Sequence, residues 1–173
     1  MTASTPLPDG VLVQFCEGPQ AACMAPQIWT ALEPRHRDVL FWDVRPGYRA
    51  AVLPKILSLA GLCAVGWQDG RFLGMGWTVP VLRGARAAFL HMCFRGDAKT
   101  AEACGRHFLE HVRQEGKLDS LVGVVPHPFR HMRDFALRMG FRLLGRIPGA
   151  CVLAGHAGRI VDADFMTWEA RRG

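Results

Sequence analysis

No stretch of about twenty residues is free of charge, so no membrane-spanning helix is expected. The sequence also lacks any C-x-x-C pair. Its six cysteines, Cys16, Cys23, Cys63, Cys93, Cys104 and Cys151, are scattered, which argues against a zinc site or a redox motif. Several lie in apolar runs, where a thiol behaves as a small hydrophobe, so free and mostly buried thiols are expected. There is no basic block either. The formal charge is +6, but arginines are spread from Arg35 to Arg172 with no stripe interleaved with exposed aromatics. A nucleic-acid-binding protein is therefore not indicated. The first ten residues lack the basic-then-apolar layout of a secretory leader and read as a loose lead-in, which leads to the expectation of a cytoplasmic protein.

What is present suits a single domain over residues 11–173. Half of the residues are apolar, enough for a proper core at this length. Val11 to Phe15 reads as a first strand, broken by Gly18 and Pro19. Helical spacing covers Gln20 to Leu32, and a second helix, bent near Pro54, covers Arg49 to Ala60. The stretch from Pro34 to Tyr48 reads as a mixed connection with exposed aromatics. Three antiparallel strands follow, from Leu62, Arg71 and Arg86, the first two joined at Asp69-Gly70, a hairpin signal. Gly74-x-Gly76 lies in a strand, so it reads as close backbone packing and not as a nucleotide loop.

The clearest helix follows. Ala101, Cys104, Gly105, Phe108, Leu109 and Val112 form one apolar stripe, Asp97 or Thr100 can cap its start, and Gly116 ends it. Ser120 to Val125 is a continuous apolar run, expected as a strand buried on both faces. A short helix from Phe129 to Met139 and two closing strands around a Pro148-Gly149 turn complete the chain. The expected order is β-α-α-β-β-β-α-β-α-β-β, an α/β fold with about seven strands in a mixed, mostly antiparallel sheet.

That order, with Met139-Gly140-Phe141 after the short helix and Gly145-Arg146-Ile147-Pro148-Gly149 in the next strand, resembles the GNAT (GCN5-related N-acetyltransferase) superfamily. The resemblance covers residues 10–168 as topology and 86–150 as motif. It implies a fourth and a fifth strand that splay apart around acyl-coenzyme A, expected to donate an acyl group, acetyl first among them, to an amine on a small molecule or protein. A polyphosphate co-substrate also suits the positive charge. No metal is implied.

By the same resemblance, the phosphate loop falls on Thr100, Ala101, Glu102, Ala103, Cys104 and Gly105. Thr100 stands in place of a long polar residue and Ala103 in place of a glycine. Lys99 and Arg106 add charge, and Met92 and Phe94 belong to the strand that meets the pantetheine. The family's helix tyrosine, general acid for the leaving thiolate, is replaced by Ala136; the one tyrosine of the chain is Tyr48.

Strand alternation puts Phe89, His91 and Cys93 on one face and Leu90, Met92 and Phe94 on the other. His91 as base and Cys93 as thiol donor or transient acyl acceptor are the catalytic candidates, weighed against an ordinary core role. His127 and His131 come next. His107 and His111 lack a third ligand and read as surface histidines. Phe41, Trp42 and Tyr48 read either as lining the acceptor side or as core or homodimer contacts. A non-catalytic module binding acyl-CoA or a protein partner is the alternative.

Overall fold

The computed structural model describes residues 7–170. Positions 1–6 of the expected lead-in lie outside the described residues, while Leu7 packs against the main core. Strand β1 (Val11–Cys16) ends where Gly18 and Pro19 open α1 (Gly18–Cys23). A Cβ at Gly18 would stand 2.6 Å from the Ser58 carbonyl oxygen, so only glycine lets this turn lie against the chain there.

The single helix expected from Gln20 to Leu32 is two helices, α1 and α2 (Ala25–Ala31), parted at Met24. Pro26 is the cause: it has no N–H to continue α1, and its fixed φ suits the first turn of α2. A third helix, α3 (Pro34–Leu40), starts on Pro34 inside the stretch expected to be a connection. A single 3-10 turn at Pro46–Tyr48 then leads into α4 (Arg49–Ser58), which carries Pro54 inside it. Four helices, not two, thus separate the first and second strands. Of the two roles open to Phe41, the structure gives it the core one: it is 1% exposed among the residues that these helices pack against the sheet.

Strands β2 (Leu62–Gln68), β3 (Arg71–Pro80) and β4 (Ala87–Phe94) pair antiparallel in chain order. Asp69 (φ 49°) and Gly70 (φ 75°) both adopt the left-handed region, as a two-residue hairpin turn of the twist-matching kind requires. Helix α5 (Ala98–Glu115) begins at Asp97, whose carboxylate accepts the Thr100 N–H at 2.7 Å, and ends at left-handed Gly116. The six residues of its predicted stripe are all buried. Strand β5 (Ser120–Pro126), helix α6 (Arg130–Arg138) and strands β6 (Arg142–Leu153) and β7 (Arg159–Glu169) follow.

The seven strands form one sheet in the order β1-β2-β3-β4-β5-β7-β6, with only the β4–β5 pair parallel. Pro148-Gly149 is not the turn between the last two strands. It lies in an irregularity of β6, where the register jumps between Ile147 and Cys151, and the chain reverses instead at 154–158. Gly149 (φ 63°) donates its N–H to Asp162, so this bulge is fastened to β7.

Layers cover both sides of the sheet. Phe108, Leu121, Met139, Phe141 and Met166 pack between it and α5 and α6. Ile28, Leu53, Leu57, Val65, Met75 and Trp77 pack between it and α1–α4. Each such side chain contributes about 1.5–3 kcal/mol when fully buried. Strand β5 departs from expectation: Leu121 and Val125 are buried, but Val122, Gly123 and Val124 between them are only half-buried. An open space beside them is the reason.

Candidate functional site

Strands β4 and β5 pair only through Ala87–Ser120, Ala88–Leu121 and Phe89–Val122. Beyond these they part, and Leu90–Phe94 and Gly123–Val125 become opposite walls of a cleft of about 700 Å³. Met132, Phe135 and Ala136 of α6 close one side, and Arg35, His36 and Val39 of α3 the other. Backbone groups on the parted edges have no neighbouring strand, so an extended ligand can take the place of one.

His91 and Cys93 face the α1–α4 side. The His91 ring lies parallel to that of buried Trp77 (5° between planes, centroids 4.9 Å apart), and Trp77 stacks in turn on Phe41 at 6.1 Å. This row of rings fixes the imidazole. Burial pushes the His91 pKa down, against a smaller upward pull from Asp43, so the ring is neutral at pH 7 and free to accept a proton. Burial pushes the Cys93 thiol up to about 11, with Arg95 and Arg35 pulling weakly the other way. Cys93 is therefore a protonated thiol at neutral pH, a poor nucleophile but a proton holder.

Met92 and the buried Phe94 face the α5 side. The residues expected to form a phosphate loop lie in the first turns of α5. Because the helix begins at Ala98, Thr100, Ala101, Ala103, Cys104 and Gly105 already lie within it and are buried, while Lys99 and Arg106 are exposed. Gly105 is explained by packing: a Cβ there would stand 2.9 Å from Met139 Sδ and 3.2 Å from Phe135 Cζ of the α6 layer. The Asp97 carboxylate occupies the helix start and is held below its ordinary range, chiefly by the Thr100 N–H. Glu33 accepts from both Arg95 (2.7 Å) and Arg35 (3.0 Å), tying α3 to the end of β4.

On α6, Ala136 and Phe135 both line the cleft, as does His131. His127 does not line the cleft; its Nδ1 is 3.5 Å from Asp164, a carboxylate 1% exposed that accepts from Arg146 at 2.7 Å. Burial pushes the Asp164 carboxyl up, but hydrogen bonds and charge from Arg146 and His127 outweigh it and hold its pKa low. Its stabilising contribution is thus present above the ordinary carboxylate range and is lost as pH falls through the lowered value. We expect the wild-type melting temperature to drop on acidification below pH 4 and the Asp164→Asn protein, less stable at pH 7, to show a flatter drop. Parallel curves from thermal melts across pH would refute this account.

His107 and His111 are only partly exposed. Both are partly buried over Phe15, with the His111 ring 3.7 Å from the phenyl ring. Among the described residues no group of three or more His, Cys, Asp or Glu could hold a metal. All six cysteines are free and four are buried, as expected. His36 was missed by sequence reasoning. It lines the cleft with a buried Nδ1 that makes no hydrogen bond and lies 3.8 Å from the Glu33 carboxylate, and burial, ahead of the opposing effect of Glu33, lowers its pKa. Nothing local marks it, because its helix was not foreseen.

No family model matches the sequence, and no curated protein matches it. Solved structures do. The GNAT-family acetyltransferase of Streptococcus pneumoniae superposes with a TM-score of 0.65 at 14% identity, over 92% of this chain and 98% of that one. The chain has the GNAT fold. The Salmonella typhimurium protein yncA, solved with its cofactor acetyl-CoA, matches the GNAT fold described here with a TM-score of 0.65 at 15% identity, over 94% and 95% of the two chains. RimL, a ribosomal L7/L12 alpha-N-protein acetyltransferase in complex with coenzyme A, gives 0.68 at 13% over 95% and 97%. At such identities the likeness is one of GNAT fold.

Proposed function

We propose that the protein is an N-acyltransferase that moves an acyl group, acetyl first among them, from coenzyme A to an amine on a small molecule or protein. The observation that carries this reading is the parting of β4 and β5 after three residue pairs, beside the start of an amphipathic helix. An amide-rich pantetheine arm suits the unpaired backbone of β4 along Met92 and Phe94. The cleft walls carry Arg35, Arg95 and Arg138, which a ligand bearing phosphates could draw from their present partners Glu33 and Glu102. Lys99 at the start of α5 and Arg106 at its middle are exposed cations, with the packed residues Thr100, Ala101, Ala103, Cys104 and Gly105 as the rigid helix behind them. The carboxylates of Asp97 and Glu33 must be outcompeted there.

In this reading the amine attacks the thioester carbonyl and His91, neutral and fixed by Trp77, takes its proton. Ala136 can give none back to the leaving thiolate. Cys93, protonated, or water in the cleft supplies that proton. The altered helix residue and the Asp97 carboxylate favour one other reading, a module that binds acyl-CoA or a protein partner without turnover.

Acetyl-CoA should raise the melting temperature, since a ligand binding only the native state stabilises it by about 2.7 kcal/mol at a hundred times its Kd. Release of free thiol with a panel of amines should accompany the shift. A shift without turnover on any amine leaves the binding module. No shift at millimolar acetyl-CoA removes both.

A further inference from the structure

The chain has a second cavity, of about 400 Å³, at the other end of the sheet, under the C-terminal half of α5. Phe15, Leu62 and Ala88 form its sheet side and Val112 and Leu118 its outer side; it shares no lining residue with the β4–β5 cleft. Its size lies within the range of roughly 300–1,000 Å³ usual for small-ligand sites. We propose that this cavity is a binding site for an aromatic primary amine, separate from the acyl-transfer cleft.

Three observations select that chemistry. The wall offers a flat π surface, the His111 ring stacked on Phe15 at 3.7 Å, against which another ring can lie. The interior asks for no polar group on that ring, because its one buried hydroxyl, that of Thr78 (residue 1% exposed), is already taken up as acceptor of the Leu62 N–H at 3.1 Å.

Charge at the mouth is the third. Glu17 and Glu115 stand there with Lys117 between them, 3.9 Å and 3.0 Å from their carboxylates. Two carboxylates against one ammonium leave a net negative charge, and the C-terminal end of α5 adds its own negative dipole end. Arg86, close by, is taken up by Asp119 and by the Gly116 carbonyl. His111 is kept neutral by burial more than it is pulled up by Glu115, so it adds no positive charge. An apolar ring inside and a cation outside is the ligand such a cavity complements.

Phenethylamine and 3-phenylpropionate, alike in body and opposite in charge, are the probes. Calorimetry should show phenethylamine binding and 3-phenylpropionate at least about tenfold weaker at low salt, as charges of opposite sign a few ångströms apart require. Glu17→Gln with Glu115→Gln, both at solvent-exposed positions, should remove the preference, and Lys117→Gln should strengthen it. Because phenethylamine is also an amine that the acyl-transfer cleft could accept, a crystal soak decides location. Density over Phe15 and His111 supports the site. Density in the β4–β5 cleft alone, equal affinity for the two probes, or no binding at millimolar concentration overturns it.

Discussion

His91→Ala should lower acyl transfer at least about tenfold, a modest figure beside the hundredfold or more typical of a lost general base. Coenzyme affinity should hardly change, because the expected contacts to the pantetheine come from backbone of β4. The pH–rate profile discriminates between a base and a mere support. A base works only when unprotonated, so the wild-type rate should fall as pH drops through the His91 pKa. Burial puts that limb below the ordinary histidine range. The variant should lose the limb. A variant that keeps full rate would discard His91 and turn attention to His36, another imidazole of the cleft whose pKa burial lowers.

Gly74→Ala should unfold or severely destabilise the protein, by more than about 3 kcal/mol. Gly74 sits at φ 155°, and a Cβ there would stand 2.2 Å from the Cys93 carbonyl oxygen and 2.6 Å from Phe94 Cα. Neither atom can retreat: Gly74 pairs with Phe94 and Met75 with Cys93 in the β3–β4 ladder. Gly84→Ala is the control, with positive φ but open space around it, and should cost only about 1 kcal/mol. Thermal melts of the two variants test this directly. Equal losses would show that backbone conformation, and not contact with the cleft strand, sets the demand for glycine.

Both expectations start from residues visible in the sequence, and the reasons for that visibility are local. Period-two alternation was enough to place His91 and Cys93 on one face of β4, and the stripe from Ala101 to Val112 with Asp97 and Gly116 at its ends marked α5. Gly74-x-Gly76 read correctly as close packing. The misses share a different cause. Pro26 and Pro34 set helix starts that an apolar pattern alone does not show. Pro148-Gly149 looks like a turn, yet the reversal falls at 154–158 because β6 continues through its bulge. At the site, the place of His36 in the cleft and the use of Gly105 by Met139 and Phe135 depend on contacts between distant segments, which no spacing reveals.

The order of strands has a consequence for how the chain acquires its shape. The buried residues of the core under α1–α4 run only from Cys16 to Trp77, and β1 to β4 lie side by side in the order in which they are synthesised. That half has a core of its own, complete before β5 is made, which favours early formation as the chain emerges from the ribosome. The other core draws on residues from Val13 to Trp168, and β5 must be joined by β7 before β6 finds its place at the edge. Folding would then advance from a nearly self-sufficient front half to a back half completed last. The seam where the two meet is the place at which β4 and β5 part.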